Sequence, residues 1–265
     1  MPAVRILIPL ILCAALLLGC QIVPKDQVQS TTLPPTVPAT LSEPAPTQAQ
    51  TSPPITEESH SSLYIPGLPV EDVVRYFTEV CLNAEYVNSG DPSLLQKWTG
   101  PLIYQVHGTP TPEDLLTLEG FASELNQIHG FPGIREAAYP EEATLNIHFC
   151  SREDFLALMG DNFYGSDGGV TFWYENDEIY NAIICICTDL DQQLRNTVIL
   201  EELYNGLGPV QDTVLRSDSI IWSEFSQPQE LTPVDWLILE LLYHPDLQCS
   251  WDAQQCEAAI RALYH

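Results

Sequence analysis

The stretch 196-NTVILEELYNGLG-208 decides how this chain folds. An apolar run leads into the paired acids Glu201 and Glu202, and Leu207-Gly208 supplies a stop. Asp191 is placed to cap the start, so one helix is expected from there to Gly208. Adjacent helical residues project about 100° apart. The two glutamates therefore rarely serve one pocket. Glu202 is expected to face a cleft and Glu201 to make a structural hydrogen bond, with Asn205 one turn beyond it on the same face. The plainer reading is an exposed acid pair near a helix end.

The chain reads as globular from residue 63. Val70, Val73, Val74, Phe77, Val80, Cys81 and Ala84 recur at helical spacing. PLIYQVHG (101–108) alternates as a strand through Leu102, Tyr104 and Val106. Thr111 and Pro112 open a helix that Gly130 stops. ATLNIHFC (143–150) is a second strand, and Ser151 and Gly160 bracket a short helix. GGVTFWYENDEIYNAIICICTD (168–189) reads as two strands joined near Asn176-Asp177. After Gly208 the chain turns irregular. Thr232 and Pro233 then open a helix that Pro245 ends, and 250–265 form a last helix. This order predicts an α+β fold with a helical C-terminal half.

The N-terminus, MPAVRILIPLILCAALLLGC, places one Arg before an apolar stretch too short for a secure membrane span. Leu17-Leu18-Gly19-Cys20 resembles the bacterial lipobox, in which the Cys becomes the first mature residue and carries lipid. The alternative is an ordinary secretory signal with a chance Cys. Residues 1–19 are thus expected to be a lipoprotein signal peptide. Residues 20–62 are expected to be the lipidated Cys20 and a disordered tether rich in Pro, Thr and Ser, and 63–265 one domain. Lipid on Cys20 predicts anchoring to the extracellular face of the cell membrane.

The chain holds 36 acids against 9 Lys and Arg, a net charge of −27. That surface repels phosphate backbones, so nucleic acid is excluded as a partner, while cationic partners and divalent cations are admitted. Its plain use is solubility. Of the eight cysteines, Cys13 leaves with the signal and Cys20 takes lipid. Cys249 and Cys256 close a short loop and are the expected disulfide. Cys185 and Cys187 share one strand face, either as core thiols or with one paired to Cys150. No Cys-x-x-Cys, Gly-x-Ser-x-Gly elbow, phosphate loop or dinucleotide fingerprint occurs.

The helix at 196–208 resembles the zincin metallopeptidase pattern H-E-x-x-H-x-x-G-x-x-H with its ligands replaced. Glu202 falls on the general base and Gly208 on the turn glycine. Glu201, Asn205 and Gln211 fall on the three His positions. The wider region also resembles the family called domain of unknown function 2927, over about residues 70–263. Its paired-acid helix matches Glu201 and Glu202, and its Ser-Ile step matches Ser219-Ile220. Its next segment matches Leu231, Thr232, Asp235, Leu242, Tyr243 and Pro245; Asn205 and His244 depart from it. The resemblance implies a zincin-like fold: a small twisted mixed sheet on two long helices, then a helical C-terminal subdomain. The family's activity is uncharacterised.

One carboxylate and two amides make a poor zinc site, so no metal or cofactor is expected. The expected function is a surface lipoprotein whose degenerate domain binds peptide or cell-envelope material. The rival is a divergent metal-dependent hydrolase with Glu202 as general base. DNFYGSDGG (161–169) reads as a polar turn rather than a calcium loop. His107, His129, His148 and His244 are scattered, with no close pair in the sequence. The aromatics of TFWYENDEIY (171–180) pack a sheet face, or lie on an edge strand that docks an extended peptide.

Overall fold

Residues 63–82, 93–224 and 228–265 are described by the computed structural model of the protein. The expected signal, Cys20, the tether and Ala84 lie outside them. Among the described residues the helices are Val70–Leu82 (α1), Pro112–Leu125 (α2), Arg152–Met159 (α3), Gln192–Asn205 (α4), Pro233–Tyr243 (α5) and Ala253–Leu263 (α6). The strands are Lys97–Trp98 (β1), Leu102–Gly108 (β2), Ile134–Glu136 (β3), Leu145–Cys150 (β4), Gly168–Glu175 (β5) and Glu178–Cys187 (β6).

Local chemistry sets most of these boundaries. Thr111, Ser151, Asp191, Thr232 and Asp252 each accept a hydrogen bond from a backbone N–H in the first turn of the helix they precede. Asn176 and Asp177 both adopt positive φ, 52° and 62°, which suits the tight turn between β5 and β6.

The sheet order is β1-β6-β4-β2-β3, with every neighbour on that path parallel. Only β5 runs antiparallel, on the other edge of β6. The fold therefore combines α and β with a mixed sheet, as expected, and that sheet is mostly parallel. The cause is the crossover β2-α2-β3, after which β4 returns to the opposite side of β2. Among the described residues the named elements after β6 are helices, as expected.

The sheet packs on both faces. Leu145, Ile147, Phe149, Ala182, Ile184 and Ile186 join α2 and α4 in the main core. On the other face, Cys185 and Cys187 pack with Phe155 of α3 and with Phe163. The C-terminal helices are tied back at several points. Lys97 Nζ donates to the carbonyls of Leu242 (2.8 Å) and Leu247 (2.6 Å), closing the end of α5, and burial pulls its pKa below the usual lysine value. Arg261 of α6 pairs with Glu71 of α1, and Tyr264 Oη donates to Leu68 O at 2.7 Å.

The expected Cys249–Cys256 disulfide is not formed; both are free thiols. The Cys249 sulfur turns to the Lys97 carbonyl, 3.9 Å away, whereas Cys256 is enclosed under the first turn of α6. Cys150 lies within hydrogen-bond reach of Cys185, and burial pushes both thiols above their usual value.

Candidate functional site

Helix α4 is enclosed nearly all round: Val198, Ile199, Leu200, Leu203 and Tyr204 are buried. A helix of that kind belongs to a core rather than to a surface. Its N-terminal half is locked to α2. Arg195 donates from Nε to Asp114 Oδ1 (3.0 Å), from Nη1 to Thr188 O (2.8 Å) and from Nη2 to Gln192 Oε1 (2.8 Å). Gln192 Nε2 donates to the same Asp114 oxygen at 2.6 Å. Asp114 also completes the capping box of α2 with Thr111.

The C-terminal end is pinned as firmly. Trp98 Nε1 donates to Gly206 O at 2.9 Å and Tyr243 Oη to Leu207 O at 2.8 Å. Gly208 has φ +131°, and a Cβ there would come within 2.7 Å of the Gln96 carbonyl oxygen. This glycine thus has a packing reason that is independent of any third metal ligand.

Within that frame Glu202 is 1 % exposed and Asn205 0 % exposed, while Glu201 is half-buried. The first residue of β5 lies directly on Glu202. A Cβ on Gly168 would meet Val198 Cγ1 at 2.4 Å, Glu202 Cγ at 2.8 Å and Glu202 Oε1 at 2.9 Å. Glu202 is therefore enclosed between α4 and the sheet rather than opening to a cleft. Neither side-chain polar atom of Asn205 has a hydrogen-bond partner among the described residues. Gln211 is half-buried; its N–H donates to Val80 O at 3.3 Å and its Nε2 to Asp212 O at 3.3 Å. Among the described residues no trio of His, Cys, Asp or Glu is placed to hold a metal ion.

The residues after Gly208 that matched the family form a buried polar hub. The Asp235 carboxylate accepts from Ser219 Oγ (2.7 Å), Tyr76 Oη (3.1 Å), Thr232 N and Oγ1 (2.9 Å each) and Ile220 N (3.3 Å). Tyr204 Oη of α4 donates to the Asp235 carbonyl at 3.1 Å. Thr232 and Asp235 at capping-box spacing announced this in the sequence; the partnership with Ser219 and Tyr76 did not show. The loop 161–169 is a polar turn, held by Arg152 on Asp167 Oδ1 (2.6 Å) and on Ser166 O (2.8 Å).

The histidines hold a surprise relative to the sequence. His107 and His148 face each other across β2 and β4, with rings stacked at 4.4 Å and 14°. Sequence separation hid the pair, because only strand register brings them together.

These observations define a mixed α/β domain in which an acid-bearing helix is built into the core. The family model described as protein of unknown function (DUF2927) matches residues 70–262, and the chain belongs to that family. No curated protein matches the chain.

Proposed function

We propose that the protein is a lipid-anchored lipoprotein of the bacterial cell surface. Its zincin-like domain binds peptide or cell-envelope material and does not catalyse. The carrying observation is the enclosure of Glu202 beneath Gly168, with Asn205 fully buried one turn on, which leaves the general-base position no room for a substrate. The lipobox-like Leu17-Leu18-Gly19-Cys20 supports the anchor. β5 supports the binding role: it is an edge strand packed beside α4, and an open edge pairs with extended chains. Trp173 and Tyr180 give that hairpin partly exposed aromatic surface. The rival hydrolase would require β5 to lift away from α4.

A two-armed experiment tests the reading. Fractionated bacteria expressing the full chain should hold it in the membrane pellet, and Cys20→Ser should release it. Incubated with a peptide library and zinc, the wild type should cleave nothing beyond a Glu202→Gln control. Membrane retention of Cys20→Ser would refute the anchor, and cleavage lost in Glu202→Gln would refute the non-catalytic domain.

A further inference from the structure

The crevice at the carboxyl ends of the parallel strands carries an inference beyond the reading of α4, with which it shares no residue. Strand β2 exits into α2, which packs on α4. Strand β4 exits into α3, which packs on the opposite face against Cys185 and Cys187. The chain thus parts to the two faces of the sheet between adjacent parallel strands. Open α/β sheets bind ligands at such switch points. A cavity of about 620 Å³ lies at this one, within the size range of small-molecule sites.

Its construction is specific. Gly108 ends β2 with φ +84°, and a Cβ there would fall 1.9 Å from the Phe149 carbonyl oxygen. Only glycine lets the β2 exit cross so closely over β4. Thr109 N then donates to that carbonyl at 3.2 Å, and Thr188 donates from Oγ1 to Cys150 O at 3.1 Å. Ser151 Oγ donates to Asp154 Oδ2 at 2.7 Å, which orients the carboxylate. His148 is half-buried and Asp154 exposed at the mouth of this crevice, so both can reach a ligand. His148 is held by its stack on His107, whose Nε2 lies 2.9 Å from Asn146 Oδ1. Leu158, 49 % exposed, adds an apolar wall.

We propose that this crevice binds an uncharged sugar. A fixed carboxylate accepts from adjacent hydroxyls, an imidazole exchanges a further hydrogen bond, and Leu158 meets the C–H face of a pyranose ring. Anions are disfavoured, since Ser151 already caps α3 and Glu153 and Asp154 occupy its first turn. Burial and the neighbouring His107 hold His148 below the usual imidazole value, which favours the neutral ring. Burial and Asp154 raise the Cys150 thiol, so no thiolate is offered to a metal or an electrophile.

Saturation-transfer NMR on the full-length protein in detergent tests this. The probes are cellobiose, maltose and N,N′-diacetylchitobiose, with glucosamine and glucose 6-phosphate as charged controls. At least one uncharged disaccharide should bind saturably, through its ring C–H protons. His148→Ala and Leu158→Asp should each weaken it about tenfold, with melting temperature unchanged for the surface variant Leu158→Asp. Binding of no uncharged sugar, binding confined to the charged controls, or affinity indifferent to both substitutions would overturn the assignment.

Discussion

Asp235→Ala is expected to lower the unfolding free energy by about 3–5 kcal/mol. The carboxylate is 0 % exposed and accepts five hydrogen bonds from Ser219, Tyr76, Thr232 and Ile220. Truncation removes the reciprocal half of the α5 capping box and strands donors in a site closed to water, and each stranded donor costs about 1–3 kcal/mol. The damage should spread, because Tyr76 belongs to α1 and Ser219 to the segment after α4. Asp235→Asn retains the shape and one acceptor, so its loss should be smaller. Urea denaturation of the three proteins measures both differences, and a loss below about 1 kcal/mol for Asp235→Ala would show that the hub is not structural.

Arg195→Ala is expected to cost about 3–5 kcal/mol for a different reason. It leaves the fully buried Asp114 carboxylate without its cation, and it removes a donor from Thr188 O and from Gln192 Oε1. Replacing both members, Arg195→Met with Asp114→Leu, should recover part of that loss, because an apolar pair avoids the desolvation of two ions. The recovery is limited by Asp114's second task in the capping box of α2. A double-mutant cycle by urea denaturation separates the two contributions. Additive losses would mean that the ion pair does not join α2 to α4.

Local signals carried well from sequence to structure where one residue acts on its own neighbours. Thr111, Ser151, Asp191 and Thr232 cap the helices they were expected to cap, and Asn176-Asp177 turns the β5–β6 hairpin. Signals that depend on partners distant in sequence did not carry. β1 and β3 are two and three residues long, too short for alternation to be read, and their pairing makes the sheet mostly parallel. The same reason hid the His107–His148 stack. The Cys249–Cys256 expectation failed because proximity in sequence does not set the direction of the two sulfurs.

The candidate site divides along the same line. Glu202 and Gly208 were legible as positions of a pattern, but their environments were not. Gly168, 34 positions before Glu202 in the sequence, is the residue that closes over it. Gly208 answers to the Gln96 carbonyl. What resembled a catalytic helix that had lost its ligands is, in the folded chain, a helix with its acid turned into the core. The family signature that continues through Ser219, Thr232 and Asp235 is a set of folding contacts around that helix.

The most direct measurement of the central claim is thermal unfolding of the wild type and Glu201→Ala across a zinc titration. A site filled to a hundred times its dissociation constant would add about 2.7 kcal/mol of stability. The expected result is that zinc gives the wild type no saturable stabilisation that Glu201→Ala removes. Stoichiometric zinc binding that raises the melting temperature and disappears in Glu201→Ala would contradict the account, and would return α4 to the active helices it resembles.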